Sequence, residues 1–195
     1  MTMIIKNFVT IEGLDGAGTT TQLDLIAKHF DAMRTFEPTD GEIGKLIRRV
    51  LKKEFKTTAS SLALLYAADR HNHIYGENGI IENAKKRLVV SDRYFYSSFA
   101  YQCLSVDKDF VKKINDYPHS QYVIFIDPPV KECMRRINSR GEEKELFEKE
   151  ATLKKVRENY LEIFSSLPEG VKYLHIEGIL TIEDTFERIK DFLTL

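Results

Sequence analysis

Phe8-Val9-Thr10-Ile11-Glu12-Gly13-Leu14-Asp15-Gly16-Ala17-Gly18-Thr19-Thr20-Thr21-Gln22 decides how this chain folds. Phe8, Val9 and Ile11 are strand formers, and the run breaks into Gly13, Gly16 and Gly18 before helical periodicity resumes after Thr19. Glycines at these places permit unusual dihedrals and close backbone approach. A strand that passes through glycines into a helix aims successive amides and a helix N-terminus at one anion. The stretch therefore reads as a phosphate-binding loop. It meets the pattern G-x-x-x-x-G-K-[ST] at Gly13, Gly18 and Thr20, and departs from it at Thr19, where the pattern has the lysine that bridges phosphates.

Outward from the loop, Leu23, Ile26, Ala27 and Phe30 place an apolar stripe on a helix starting near Thr19. A short strand is expected at 34–36, ended by Glu37-Pro38 and the turn-forming Thr39-Asp40-Gly41. Ile43, Leu46, Ile47 and Val50 form the next amphipathic helix; the adjacent Arg48 and Arg49 point about 100° apart, so at most one faces a ligand on the core side. Over 58–75 a longer helical pattern puts Leu62, Leu65, Tyr66, Asp69, Arg70 and His73 on one side. Tyr66 and Arg70, one turn apart, address the same small volume as a flat surface and a forked donor, although a half-buried tyrosine beside a surface salt bridge fits that segment equally well.

A short helix is expected over 79–86 and a buried strand over 87–92, ending in Asp92-Arg93 at the carboxyl edge where open parallel sheets hold ligands. Tyr122–Ile126 is the clearest central strand, stopped by Asp127-Pro128-Pro129. Helix resumes at Val130, and the charged run from Gly141 reads most simply as a solvated face. A helix through Leu153, Val156, Tyr160, Ile163 and Phe164, a strand at 171–176 and a helix through Ile182, Phe186, Ile189 and Leu193 close the chain. Strands alternating with helices in this way predict an α/β, three-layer fold, a parallel sheet of about five strands with helices on both faces, and the glycine loop after the first strand makes it a P-loop NTPase fold.

The 195 residues suit one domain spanning 1–195. With 43% hydrophobic and 30% charged residues the composition is that of an ordinary globular protein, and 29 Lys and Arg against 30 Asp and Glu give no general attraction to nucleic acid or an anionic membrane. Cys103 and Cys133 lack metal-ligand or disulfide-framework spacing, so a cytoplasmic setting is expected. Neither a signal peptide nor a membrane-spanning run is expected at the N-terminus.

Four ordered blocks carry a more specific likeness: Glu12–Gly18, Glu37-Pro38, Leu64-Leu65-Tyr66-Ala67-Ala68-Asp69-Arg70, and Ser91-Asp92-Arg93-Tyr94 followed by Ser97-Ser98 and Ala100-Tyr101-Gln102. With Arg140 to Glu148 as a lid, about 139–148, the chain resembles the thymidylate kinase family, P-loop enzymes that phosphorylate dTMP with ATP. The resemblance implies that Gly13, Asp15, Gly16, Ala17, Gly18, Thr19, Thr20 and Thr21 surround the ATP phosphates, and that Thr20 and Asp92 hold Mg²⁺. It further implies that Asp15 receives the 3′-hydroxyl, that Tyr66 stacks on thymine where the family usually has phenylalanine, and that Arg70 meets the base's O4. Ser98 and Gln102 fall to the base edge, Tyr101 lies under the sugar, Arg48 and Arg93 bind the monophosphate, and Glu37, Pro38 and Ser97 complete the dTMP site. A homodimer is implied by the family alone.

Thr19 offers a neutral hydrogen bond where the family has a cation. Losing a comparable donor costs about 3 to 4 kcal/mol in other enzymes. Asp92 and Arg93 are expected to be catalytic, with the charge supplied from the lid by Arg140, or else by Lys144, Arg136 or Arg135. Two alternatives remain at this point: a nucleotide-binding pseudoenzyme, and a kinase of the same fold with a different acceptor, for which the Tyr66 hydroxyl leaves room.

Overall fold

The structure, a computed structural model, describes residues 3–139 and 146–194. Five strands, β1 (Ile4–Gly13), β2 (Met33–Phe36), β3 (Val89–Asp92), β4 (His119–Asp127) and β5 (Lys172–Glu177), form one sheet in the order β2-β3-β1-β4-β5. Every neighbouring pair is parallel. The sheet expected from the alternating pattern is thus present. On β1, Phe8 meets Tyr94 edge-on, Thr10 bonds Ser120 and Glu12 bonds Tyr160, so these three share a face. Val9 and Ile11 point to the opposite face by strand alternation and are also fully buried, which requires a cover on both sides.

Helices supply it. α1 (Thr19–His29) packs on β1, β2, β3 and the last helix; α2 (Glu42–Leu51) lies against α3 (Ala59–Tyr75); α4 (Ile80–Ala84) contacts α3, β1 and β3. After β3 a helical turn, α5 (Phe95–Ser97), runs into a π-helical segment, Ser98–Gln102, and α6 (Lys108–Ile114) follows. α7 (Val130–Asn138), α8 (Leu146–Phe164) and α9 (Ile182–Leu193) complete the order. The sequence pattern leaves α5, the π-helical segment and α6 unforeseen, starts β3 two residues early, and catches only the later part of α8 and the middle of β4.

Register aligns the carboxyl ends of the strands. Phe36 pairs with Asp92, Ile11 with Asp92, Gly13 with Ile126 and Asp127 with Glu177, so the loops after all five strands open on one edge. The chain runs from β1 outward to β2, back to β3, and then across to β4 on the other side of β1. That reversal beside β1 is where such sheets leave a crevice.

Candidate active site

The loop after β1 is shaped by what it must avoid. Gly16 has φ 83°, and a Cβ there would lie 2.7 Å from the Cys133 carbonyl oxygen on α7; Gly18 has φ 98° and begins α1. Both conformations suit glycine. Gly18 makes no side-chain cap and the first turn of α1 holds no acidic residue, so the amides of that end face the crevice open to an anion. Thr19 is 7% exposed, and its methyl lies 3.0 Å from where a Cβ on Gly13 would sit. Its side chain therefore folds against the base of the loop. Thr20 and Thr21 are exposed on the opening.

Thr20 Oγ1 donates to Asp92 Oδ2 at 2.6 Å, joining the start of α1 to the end of β3. Asp92 Oδ1 is buried without a hydrogen-bond partner. A hydroxyl and a carboxylate with an unused oxygen form a hard-donor pair that suits Mg²⁺, which takes few protein ligands beside phosphate oxygens and water. Among the described residues no group of three or more His, Cys, Asp or Glu comes together as a self-sufficient metal site.

Beside the loop a cavity of about 380 Å³ is lined by Asp15, Pro38, Tyr66, Arg70, Arg93, Ser97, Ser98, Tyr101 and Gln102, with Leu51, Leu62 and Val106 among its apolar walls. Ser98 Oγ and Gln102 Oε1 are buried there without partners. The π-helical segment brings both residues to one wall. Arg70 is 1% exposed and ion-paired to Glu37 through Nε at 2.8 Å and Nη2 at 2.7 Å, while its Nη1 donates to Asn115. Burial pushes the Glu37 carboxyl up, but Arg70 and His73 outweigh it and hold the group below the usual carboxylate range.

Arg93 sits at φ 71°, a left-handed conformation that costs a bulky residue on the order of 1 kcal/mol, and its N–H is tied to the Ile11 carbonyl at 2.9 Å. That turn throws its guanidinium across the crevice. Nη2 donates to Asp15 Oδ1 at 2.7 Å, and the guanidinium lies 5.2 Å from the Tyr101 ring centroid. Tyr101 in turn accepts the Asp15 N–H at 3.2 Å. Burial raises the Tyr101 phenol to about 12.

A neighbouring cavity of about 350 Å³ contains Thr20, Asp92, Arg93, Arg34 and Arg48. Arg48 is turned into the 38–40 loop, donating to the Pro38 and Thr39 carbonyls at 2.7 and 2.6 Å and to Asp40 at 2.7 Å. Arg49 points away, onto Glu54 and the Phe55 ring. Arg140 and Lys144 lie outside the described residues, as does most of the expected lid. Arg135 is paired with Glu132 on the surface. Arg136 reaches the loop itself, with Nη1 3.4 and 3.3 Å from the Gly16 and Ala17 carbonyls and Nε held by Glu132 at 2.7 Å.

Sequence reasoning missed the wall on the other side of the loop. A cavity of about 300 Å³ runs from Gly18, Thr21 and Gln22 past Arg136 to Gly178, Leu180, Thr181 and Ile182. The glycine just after β5 was a usable signal; the apolar and backbone surface around it has none.

A glycine loop at the central strand of a parallel sheet, opening onto an uncapped helix start, puts the chain in the P-loop NTPase class. Two solved thymidylate kinases share the fold: that of Candida albicans, described as having broad substrate specificity, with TM-score 0.77, 22% identity and coverage of 96% of this chain and 91% of that one, and that of Ehrlichia chaffeensis, with TM-score 0.70, 24% identity and coverage of 96% and 98%. The family model for thymidylate kinase matches residues 11–189. A Treponema pallidum protein assigned as a thymidylate kinase is 40% identical over 195 residues, 95% of this chain and 94% of its own, and a Methanococcus maripaludis counterpart is 43% identical over 187 residues, 95% and 90%. The chain belongs to the thymidylate kinase family.

Proposed function

We propose that this chain transfers the γ-phosphoryl group of ATP to dTMP, giving dTDP and ADP. The observation that carries the proposal is the cavity in which Ser98 Oγ and Gln102 Oε1 stand unpartnered between Tyr66, Arg70 and Arg93, beside the open end of α1. Buried polar atoms without partners on a cavity wall suit the hydrogen-bonding edge of a pyrimidine, with Tyr66 against its face. Asp15 is near the expected 3′-hydroxyl, Tyr101 below the sugar, and Arg93 at the acceptor phosphate; Arg48 acts at that phosphate chiefly by fixing the 38–40 loop.

The acceptor is already an anionic oxygen, so the protein has to align it, spread charge and exclude water. Gly13, Gly16, Ala17 and Gly18 hold the donor phosphates through the backbone, and Thr20 with Asp92 would hold Mg²⁺. When bound, that ion would neutralise charge on the donor phosphates. Arg136 and the Gly178–Ile182 wall receive the nucleoside of the donor. The lid is the source of the cation that Thr19 does not provide. The chain acts as one catalytic domain in the cytoplasm; among the described residues no helix is long and apolar enough to cross a membrane. Leu64 and Tyr75, 49% and 46% exposed on α3, support a homodimer.

Product analysis with Mg·ATP and a panel of deoxynucleoside and nucleoside monophosphates tests the assignment. ADP and dTDP as the preferred products are expected. No ADP with any acceptor would leave a nucleotide-binding protein without transferase activity, and a preference away from dTMP would reassign the pocket.

A further inference from the structure

Beneath Arg93, Glu12 and Ser97 meet Tyr160 of α8 in a buried polar cluster. Glu12, 0% exposed at the end of β1, accepts three hydrogen bonds: Oε1 from the Tyr94 N–H at 2.7 Å, and Oε2 from the Ser97 hydroxyl at 2.6 Å and the Tyr160 hydroxyl at 2.9 Å. The two hydroxyls also lie 2.8 Å apart, so their two hydrogens are shared among the three contacts within the Glu12, Ser97 and Tyr160 group, and both oxygens keep a lone pair for a donor from outside it. That donor is Arg93 Nη1, 3.1 Å from Ser97 Oγ and 3.3 Å from the Tyr160 oxygen. Nη1 carries two hydrogens, one for each. The opposite terminal nitrogen, Nη2, is left toward Asp15 and the cavity.

A guanidinium is planar and rigid, so holding one terminal nitrogen at two points sets the direction of the others. We propose that Tyr160 and Ser97, seated on Glu12, are positioning residues that aim Arg93 at the phosphate of the acceptor. The proposal rests on the acceptor role given to Arg93 above. Packing alone does not account for the cluster. The Tyr160 ring already fills its space against Phe125 and Phe164, at 5.1 and 5.6 Å between centroids, and phenylalanine would do the same. Its hydroxyl meets Glu12, Ser97 and Arg93. A carboxyl group is costly to bury under a strained arginine without hydrogen bonds, and Glu12 has three.

Tyr160→Phe keeps the ring and removes one anchor of Nη1. Steady-state kinetics with Mg·ATP and dTMP should show the acceptor KM raised about tenfold, as for loss of one hydrogen bond to a charged group, with the donor KM within about twofold. Ser97→Ala should give the same selective change, and it decides the matter if Tyr160→Phe folds poorly. Calorimetric titration with dTMP alone should show the same loss of affinity without any dependence on turnover. An unchanged acceptor KM in both variants, or donor and acceptor KM rising together, would overturn the positioning role. If the wild type turns over no monophosphate and binds no dTMP, the acceptor reading of Arg93 falls first and takes this one with it.

Discussion

Burying a carboxylate raises its pKa, and Glu12 is pushed up to about 7 by burial, against the pull of Ser97, Arg93, Tyr160 and the Tyr94 amide. Its ordinary value is 4.5, so between these two pH values the unfolded chain releases a proton that the folded chain keeps. Stability contributed by this group therefore falls as pH rises through that window, by up to about 3 kcal/mol. Glu37 behaves in the opposite sense, since its folded pKa is lowered: its contribution is present above its ordinary pKa and is lost only as pH falls through the folded value. Urea midpoints of the wild type should decline between pH 5 and 7.5, and Glu12→Gln should remove that decline; parallel profiles for the two proteins would clear Glu12 of it. Thr19 makes a second case. Its side chain lies against the base of the loop and brings no charge to the donor phosphates. If Arg140 carries that charge, Arg140→Ala lowers turnover about 100-fold and Thr19→Lys restores part of the loss. A double variant no faster than Arg140→Ala alone would rule out the exchange. The loop residues, Asp92 and Arg93 were legible because glycine spacing and an apolar strand ending in charge are local signals. Glu12 was quoted in the same stretch, yet its partners Ser97 and Tyr160 are 85 and 148 residues away, and no local pattern announces them.

Helix α8 ties the two halves of the site to the sheet. Tyr160 anchors it to the end of β1, and Arg157, one turn earlier, anchors it to the end of β4 by a bidentate pair with Asp127 at 2.7 and 2.8 Å. Asp127 is completely buried and keeps one other side-chain partner, His175 Nε2 at 2.8 Å, while Arg157 is 30% exposed and also touches Glu177. Removing Arg157 leaves that carboxylate short of charge, so Arg157→Ala should destabilise the fold by about 2 to 3 kcal/mol in urea unfolding, somewhat less than for a fully buried pair because Arg157 is partly solvated. A change within 0.5 kcal/mol, as for an ordinary surface pair, would show that water replaces it. Amphipathic spacing revealed the later part of α8 because Leu153, Val156, Tyr160 and Phe164 are buried on one side. The α6 helix was readable in principle, since Asp107 caps it by accepting the Phe110 N–H at 2.9 Å, but its seven residues give little periodicity. The π-helical turn that brings Ser98 and Gln102 to one wall obeys neither the 3.6-residue nor the two-residue period, so patterning could not place it.

For the whole molecule, strand order and register bring the open helix start, the Thr20–Asp92 pair and the cavity between Tyr66 and Arg93 to one edge, and a ligand held there only by the folded chain stabilises it. A ligand that binds only the folded state at 100 times its Kd adds about 2.7 kcal/mol, which for a chain of this size raises Tm by roughly 5 to 10 °C. Thermal unfolding with saturating dTMP, without ATP or metal, should show a shift of that order. With Tyr101 under the sugar as proposed, the ribonucleotide counterpart should shift Tm less at equal concentration. Arg93→Ala should abolish most of the dTMP shift, whereas Arg157→Ala should lower the starting Tm and keep the shift. Those two variants separate ligand recognition from fold maintenance along the same helix–sheet junction. A dTMP shift that survives Arg93→Ala at full size would place the acceptor's phosphate elsewhere on this edge, with Arg34 and Arg48 in the adjoining cavity as the next cations to remove.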